Sequence, residues 1–370
     1  MRLLLINEVC GTGSTGKICT KIAEEYEKNG YECKIAYGRH GDVPEQYKKY
    51  AVRIGNDFSV KFHALSTRIF DNHGFCSYFV TKKFLRWADD YNPDIVWLHN
   101  LHGYYINIEL LFKWIKSRPN MKIKWTLHDC WAFTGHCSHF TVAKCYKWKK
   151  QCANCPQKNE YPKSLLFDNS YYNYKRKMIA FTGVKGMTII APSKWLANLV
   201  KKSFLRKYPI EVHYNKIDTD VFKPTQSDFR ERYRLTDKVI VLGVSNVWNE
   251  RKGYFDFIKL SKILNNKYRI VMVGLNEEQL KEIPKNIIGI SRTKDQKELA
   301  EIYTAADVFL NLTYEDNYPT VNLESQACGT PVITYRTGGS PESVIADNVV
   351  EVGSLYMVYE RIERIRAESI

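Results

Sequence analysis

Two carboxylates eight residues apart, Asp316 and Glu324, lie in the stretch TYEDNYPTVNLESQACGTPVITY (313–335). An apolar strand ends near Thr313 and an acidic turn follows it. Pro319 suits the first turn of a helix that runs through Glu324 and Ala327 and stops at Gly329. The amides of Thr320, Val321 and Asn322 would open that helix unpaired, which makes an anion site at the strand ends. Glu324, beside Leu323, Ala327 and Cys328, reads as a mostly buried acid in want of a partner, the alternative being a solvated helix face. Asp316 and Glu324 could then reach one ligand from two sides.

A second phosphate-like pattern is EVCGTGSTGKIC (8–19). Gly11, four residues, then Gly16-Lys17 form a P-loop that lacks its final Ser or Thr, because Ile18 stands where the magnesium-binding hydroxyl belongs. The other reading is a tight strand-to-helix turn in which Gly13, Ser14, Thr15 and Gly16 face the ligand. Ile18 then opens an apolar helical stripe with Ile22 and Tyr26, ended by Gly30. LHNLHGYYIN (98–107) follows another strand, and its Asn100 and His102 are either acceptor contacts or loop packing. Cys137, Cys145, Cys152 and Cys155 leave gaps of seven, six and two residues. The Cys-x-x-Cys end is half of a zinc site, with His136 or His139 as substitutes, and free thiols are the competing reading. Asp218-Thr-Asp220 matches a metal-binding Asp-x-Asp formally but sits in a turn-rich segment and reads as a turn.

The other elements must position these groups. RLLLIN, ECKIAYG, PDIVWLH (93–99), IKWTLH (123–128) and MTIIAPS (187–193) are short buried strands separated by helical patterns. KVIVLGVS (238–245), YRIVMVG (268–274), DVFLNLT (307–313) and TPVITY (330–335) repeat the scheme, with a helix carrying Phe257, Leu260 and Leu264. Asp295 and Glu298 suggest a reciprocal cap ahead of Leu299 and Ile302. Alternation of this kind predicts α/β architecture with parallel sheets covered on both faces. The expected division is an acceptor-side Rossmann-like domain over 1–211 with a Cys-rich insertion at 130–160, and a linker at 212–226. A second Rossmann-like domain follows over 227–355, then a C-terminal helix over 356–370 that packs back on the first domain. Two such halves would face each other across a cleft, with ligands at the carboxyl ends of strands.

Across 370 residues the net charge is +15, which implies an anionic partner. Basic residues interleave with aromatics in CYKWKKQC, YYNYKRKM and VKKSFLRKY, a composition suited to a lipid headgroup layer and also to RNA. The opening MRLLLI is too short for a signal peptide, and no apolar run reaches the roughly 18 residues of a membrane span. A cytoplasmic protein with reduced thiols is expected.

The acid, seven residues, glutamate, then ACGTPV resembles the signature of the retaining glycosyltransferases of family 4, which have the GT-B double-Rossmann fold. The family pattern has glutamate at both ends. Here Glu315 and Asp316 stand together at the first position. The resemblance implies that this first acid contacts the donor sugar, that Glu324 binds the nucleotide ribose, and that the amides of Thr320, Val321 and Asn322 hold the diphosphate. SNVWNERKGYFDF (245–257) is similar to the family's diphosphate loop, with Lys252 at the lysine position, Arg251 as the nearby arginine and Val247 where an arginine is usual. TGGSPE (337–342) matches a loop near the donor, which implicates Gly338 and Gly339. YNKIDTDVFKP resembles the interdomain segment, and WTLHD (125–129) resembles the loop whose histidine, here His128, approaches the transferred sugar.

The implied activity is transfer from a UDP- or GDP-sugar to a saccharide or lipid-linked acceptor in cell-surface polysaccharide synthesis. It implies no catalytic metal and no nucleic acid, and places the protein at the anionic inner face of the cell membrane. Two rival readings remain open on residues alone. A P-loop-like nucleotide hydrolase would need the hydroxyl missing at Ile18 and an acid closing an apolar strand, for which Asp129 is a poor fit. A zinc-containing nucleic-acid-binding protein would explain charge and cysteines but not the acid pair.

Overall fold

A computed structural model describes residues 1–39 and 42–368, and the chain divides into two units, Met1–Tyr214 and Asn215–Ile370. The first unit runs β1 (Arg2–Ile6), α1 (Gly13–Lys28), β2 (Glu32–Tyr37), β3 (Ala51–Arg53), α2 (Asp57–Phe70), α3 (Tyr78–Tyr91), β4 (Ile95–Leu98) and α4 (Ile108–Lys116). It continues through β5 (Lys122–Thr126), α5 (Ser170–Phe181), β6 (Met187–Ala191), α6 (Lys194–Val200) and β7 (Ile210–Val212). Among the described residues its sheet has the order β3-β2-β1-β4-β5-β6-β7, and every pairing is parallel.

A parallel sheet covered on both faces needs strands that are apolar throughout, because helices bury each side. Leu3, Leu4, Leu5 and Ile6 are all inaccessible to solvent, and alternate members serve opposite faces. Leu4 and Ile6 join one core, Leu3 and Leu5 the other. Each side chain so buried contributes about 1.5–3 kcal/mol of hydrophobic stabilisation.

Helix α1 begins at Gly13 and buries Gly16, Cys19, Thr20 and Ala23. The expected stripe of Ile18, Ile22 and Tyr26 is only partly buried. Small side chains take the inner face because α1 packs close against β1 and β2, and the larger residues flank that contact. The sequence pattern assigns no element to the stretch that forms α2 and α3. Asn56 and Ser59 start α2 with a reciprocal capping box.

The second unit runs α7 (Phe229–Arg232), β8 (Val239–Val244), α8 (Tyr254–Ile263), β9 (Tyr268–Val273), α9 (Glu277–Glu282) and β10 (Ile287–Ile290). Then come α10 (Gln296–Ala305), β11 (Val308–Asn311), α11 (Thr320–Ala327), β12 (Val332–Tyr335), β13 (Val349–Val350) and α12 (Leu355–Glu368). Its parallel sheet has the order β10-β9-β8-β11-β12-β13 among the described residues.

Helix α12 buries Val358, Ile362 and Ile365 in the second unit's own core. Residues 369 and 370 of the expected 356–370 helix lie outside the described residues. The Asp295 cap forms, but Glu298 reaches the amide of Lys294 rather than that of Asp295, so the cap is not reciprocal. Asp218 accepts from the amide of Asp220 at 3.0 Å, which makes the Asp-x-Asp segment a side-chain-closed turn.

Candidate active site

Both sheets have the doubly wound order in which the chain reverses direction beside the first strand, and such folds bind ligands outside the carboxyl ends of strands at that reversal. In the second unit the reversal lies between β8 and β11. The loops leaving these two strands are Ser245–Lys252 and Leu312–Pro319, and they carry the predicted basic and acidic residues.

These loops are joined through main-chain carbonyls and one side-chain ion pair. Tyr314 N donates to Arg251 O at 2.8 Å, Thr313 Oγ1 to the same oxygen at 3.2 Å, and Arg251 Nη1 to Glu315 O at 2.8 Å. Lys252 Nζ lies 2.5 Å from Asp316 Oδ2, with both side chains mostly sheltered. Asn249 holds Lys252 from behind by capping its amide at 3.0 Å. Of the two adjacent acids, Asp316 is the one paired with the cation, while Glu315 is buried. Val247, where the resemblance implies an arginine, is exposed.

The TGGSPE loop closes onto the acid loop. Gly339 N donates to Asp316 O at 3.1 Å and Thr337 Oγ1 to Tyr314 O at 2.8 Å. Gly338 has a φ of +57°, and a Cβ there would meet Asp316 O at 1.9 Å. Glycine is the residue that permits this approach. The amide of Gly339 is thus engaged with Asp316, and the two glycines frame the acid.

Helix α11 follows with Pro319 at its N-cap. The amide of Asn322 turns back to Pro319 O at 3.3 Å, which leaves Thr320 and Val321 to supply the forward-facing amides. The Asn322 side chain does something the sequence did not suggest. It is fully buried, accepts from Asn311 Nδ2 at 2.8 Å, and donates to Ser343 Oγ at 2.8 Å. This network fixes α11 against the end of β11 and the loop after β12. Glu324, one turn on, accepts from Tyr303 OH at 3.2 Å, so the half-buried acid has a partner. Asp256 on α8 was also missed. It is buried and takes hydrogen bonds from Tyr314 OH and Tyr335 OH, both at 2.8 Å, which anchors the residue next to Glu315.

The first unit has its own convergence at the ends of β1, β4 and β5. Buried Asn7 donates to Val9 O at 2.8 Å and to Thr15 Oγ1 at 3.3 Å, and accepts from the amide of Asn100 at 3.3 Å. One side chain therefore ties the Gly13–Gly16 turn to Asn100. Gly11 enters the turn with a φ of +71°, its would-be Cβ 2.8 Å from the Tyr47 ring. Glu8 accepts from Asn100 Nδ2 and pairs with Arg39, both at 3.3 Å. Its position two residues beyond β1 is the signal that could have singled it out.

His102 Nε2 lies 2.9 Å from Asp129 Oδ2, and its Nδ1 is 3.1 Å from Tyr161 OH. Burial opposes the imidazolium, but Asp129 outweighs it and raises His102 above its ordinary value. Burial likewise opposes the carboxylate, and His102 with the amide of Trp131 still draws Asp129 down to about 2. His128 stacks on His99 at 5.3 Å with ring nitrogens 3.0 Å apart. Burial lowers His128 to about 4 and His99 well below its usual range, so both rings are neutral near pH 7.

The Cys-rich insertion is part of the first unit's core, where Cys137 and Cys152 are buried in a cluster with Phe133, Phe140 and Trp148. All four cysteines are free thiols, and among the described residues no group of three His, Cys, Asp or Glu could hold a metal ion. The thiol of Cys137 bonds to Cys155 and draws it down to about 7, while burial pushes Cys152 up to about 12. The zinc reading of Cys137, Cys145, Cys152 and Cys155 therefore has no assembled ligand set: two thiols pair with each other, and Cys152 accepts from Gly135 N at 3.3 Å. A surface hollow of about 720 Å³ lies elsewhere in the second unit, lined by acids such as Asp228, Glu231 and Glu298 together with Arg232, Lys294 and Lys297. None of the candidate residues lines it.

No described helix is long and apolar enough to cross a membrane. Comparison with known proteins adds the following. WcaC of Escherichia coli, named for colanic acid biosynthesis as a glycosyl transferase, is 24% identical over 258 residues, which are 68% of this chain and 62% of that protein. The chain thus spans less than two thirds of that relative. Sucrose-phosphate synthase from Thermosynechococcus elongatus superimposes with a TM-score of 0.69 at 16% identity, covering 99% of this chain and 90% of that one. HepE of Anabaena, solved in complex with UDP, gives a TM-score of 0.67 at 15% identity, covering 100% and 91%. These likenesses agree with two parallel-sheet α/β units of the GT-B class. The profile described as "Glycosyl transferases group 1" matches residues 225–367, and "Glycosyltransferase Family 4" matches residues 15–221. With more than half its length matched by the second profile, the chain belongs to Glycosyltransferase Family 4.

Proposed function

We propose that this protein is a retaining glycosyltransferase that moves a sugar from a UDP- or GDP-sugar to a saccharide or lipid-linked acceptor in cell-surface polysaccharide synthesis, at the cytoplasmic side of the membrane. The observation that carries the reading is the union of Arg251, Lys252, Asp316 and the first amides of α11 at one strand reversal. The colanic acid relative supports the polysaccharide setting, and the UDP bound to HepE supports a uridine nucleotide.

Breaking the bond between the sugar and the diphosphate puts charge on the departing phosphate. Fixed cations and helix amides aimed at that charge stabilise the transition state. Lys252, Arg251 and the amides of Thr320 and Val321 take this role in our reading, which gives it to them rather than to a metal ion. Asp316 is the first acid of the signature, holding Lys252 in place and facing the donor sugar. Glu324, steadied by Tyr303, accepts from the ribose hydroxyls. His128, kept neutral, bonds a hydroxyl of the transferred sugar. Asn100, His102 and the Gly13–Gly16 turn serve the acceptor or the phosphate. Under retention the acceptor attacks on the face from which the phosphate leaves, and that phosphate takes the acceptor's proton.

A thermal-shift and sugar-release screen across UDP- and GDP-sugars tests the reading. Stabilisation by one nucleotide class with release of its sugar is expected. No response to any of them, or stabilisation only by RNA or by ATP with magnesium, would overturn it.

A further inference from the structure

Helix α2 is turned inside out. Its buried residues are His63 and Thr67, both polar, which bond to Ser77 and Gly74 and to the helix backbone. On the opposite side Phe58, Phe62 and Leu65 are 77%, 60% and 57% exposed. With Ile69 they follow the i, i+4, i+7, i+11 spacing of one helix face. An amphipathic helix on a water-facing surface normally has the reverse arrangement.

The apolar face continues beyond the helix. Residues 165–167 run alongside its C-terminal end, with Leu165 N bonded to Arg68 O and Phe167 N to Ile69 O. Leu165, Leu166 and Phe167 are all more than half exposed, and the Phe167 ring stacks on Phe70 at 5.8 Å. Helix α3 meets the segment just ahead of α2, where a Cβ on Gly55 would lie 3.3 Å from Val80, and it carries Phe79 at 83% exposure. Exposed apolar surface of the kind that α2 and the 165–167 segment share marks an interaction site.

The charges around it select the partner. Lys61 and Arg68 flank the stripe on α2, Lys82 and Lys83 follow Phe79 on α3, and Lys163 precedes the 165–167 loop; all are exposed. The nearest acids are engaged: Asp57 pairs with Arg53, and Asp168 accepts from the amides of Cys155 and Ser170. Aromatic and aliphatic side chains ringed by cations match the boundary between acyl chains and anionic headgroups.

We infer that the outer face of α2, with Phe79 and the 165–167 loop, is a membrane-docking surface for anionic lipid. The sequence composition had pointed to lysine- and tyrosine-rich segments further along the chain, whereas the exposed apolar stripe places the surface here. The inference does not rest on sugar transfer, and its test reads no turnover.

The experiment is co-sedimentation of the full chain with phosphatidylcholine vesicles, with and without added phosphatidylglycerol, at low and high salt. Salt-sensitive binding to the anionic vesicles is expected. The double change Phe62→Ser with Leu65→Ser should weaken it about tenfold or more at an unchanged melting temperature, since neither side chain is buried. Lys61→Glu with Arg68→Glu should weaken it about fivefold per cation and flatten the salt dependence. Failure of the unaltered chain to bind anionic vesicles would overturn the inference, as would undiminished binding by the Phe62/Leu65 variant. A dimer in sedimentation velocity that this variant abolishes, without vesicle binding, would assign the face to a second copy and also overturn it.

Discussion

Lys252 Nζ and Asp316 Oδ2, 64 residues apart in sequence, meet at 2.5 Å where β8 and β11 end. The pair stores a cation beside the first amides of α11, and the acid that stores it is the second of two neighbouring carboxylates. A ligand diphosphate would compete with Asp316 for Lys252. This makes the cation available to an anion while keeping it oriented before one arrives.

Replacing the members of this site should separate binding from turnover. Lys252→Ala is expected to lower kcat/KM by about 10²–10³, the range seen when one transition-state donor is removed. Glu324→Ala should weaken nucleotide binding, and Asp316→Asn should mainly lower kcat. Calorimetric titration with UDP and GDP, alongside steady-state kinetics, distinguishes these effects. Equal activity and affinity across the variants would refute the assignment.

Gly338→Ala forces a Cβ against Asp316 O in a backbone region that side chains disfavour. Stability should drop by about 1–3 kcal/mol, and activity should fall more than stability explains, because Asp316 moves. Urea unfolding beside kinetics measures both; an unperturbed enzyme would mean that the loop yields without disturbing the acid.

Asn322→Ala removes a side chain that satisfies Asn311 and Ser343 in the interior. A cost of about 1–3 kcal/mol is expected from the groups left unpaired. Unfolding midpoints in urea are the readout. A cost near zero would show that the network is dispensable.

Acid should destabilise the first unit through His63, which burial lowers from 6.5 to about 3. The unfolded chain takes up a proton that the native imidazole refuses, so this group's contribution falls as pH drops below about 6.5 and levels off near 3. His102, raised by Asp129, acts in the opposite sense: its contribution is intact below the ordinary histidine range and is lost as pH rises through its folded value. Comparing melting temperatures at pH 7 and pH 5 for the unaltered chain and His63→Gln isolates the His63 contribution. The glutamine variant should lose less on acidification, and identical losses would exclude this cause.

Much of the architecture is legible in residues because β1, β4, β6, β8 and β9 are predominantly apolar, as strands buried on both faces must be. Strands of two or three residues, such as β3, β7 and β13, are too short to leave a pattern. The stripe of α1 is read one residue out of register, since a close helix–sheet contact selects Gly16, Cys19 and Ala23 over larger neighbours. Periodicity finds an apolar face but does not say whether it points inward, and in α2 it points outward. In the candidate site, charged residues in short motifs are visible. The side chains of Asn7, Asn322 and Asp256 are not, because an amide or acid acquires a structural role only through partners far away in sequence.

The bonds that frame Asp316 run largely through main-chain atoms: Arg251 O, Glu315 O, Tyr314 N, and Gly339 N onto Asp316 O. Such a frame depends on few side chains: the Arg251 guanidinium, the Thr337 hydroxyl and the missing Cβ of Gly338. Substitutions at neighbouring exposed positions should therefore leave Asp316 where it is, provided Arg251 and Gly338 are kept. The second unit thus holds its acid loop by main-chain contacts that most of the surrounding side chains do not enter.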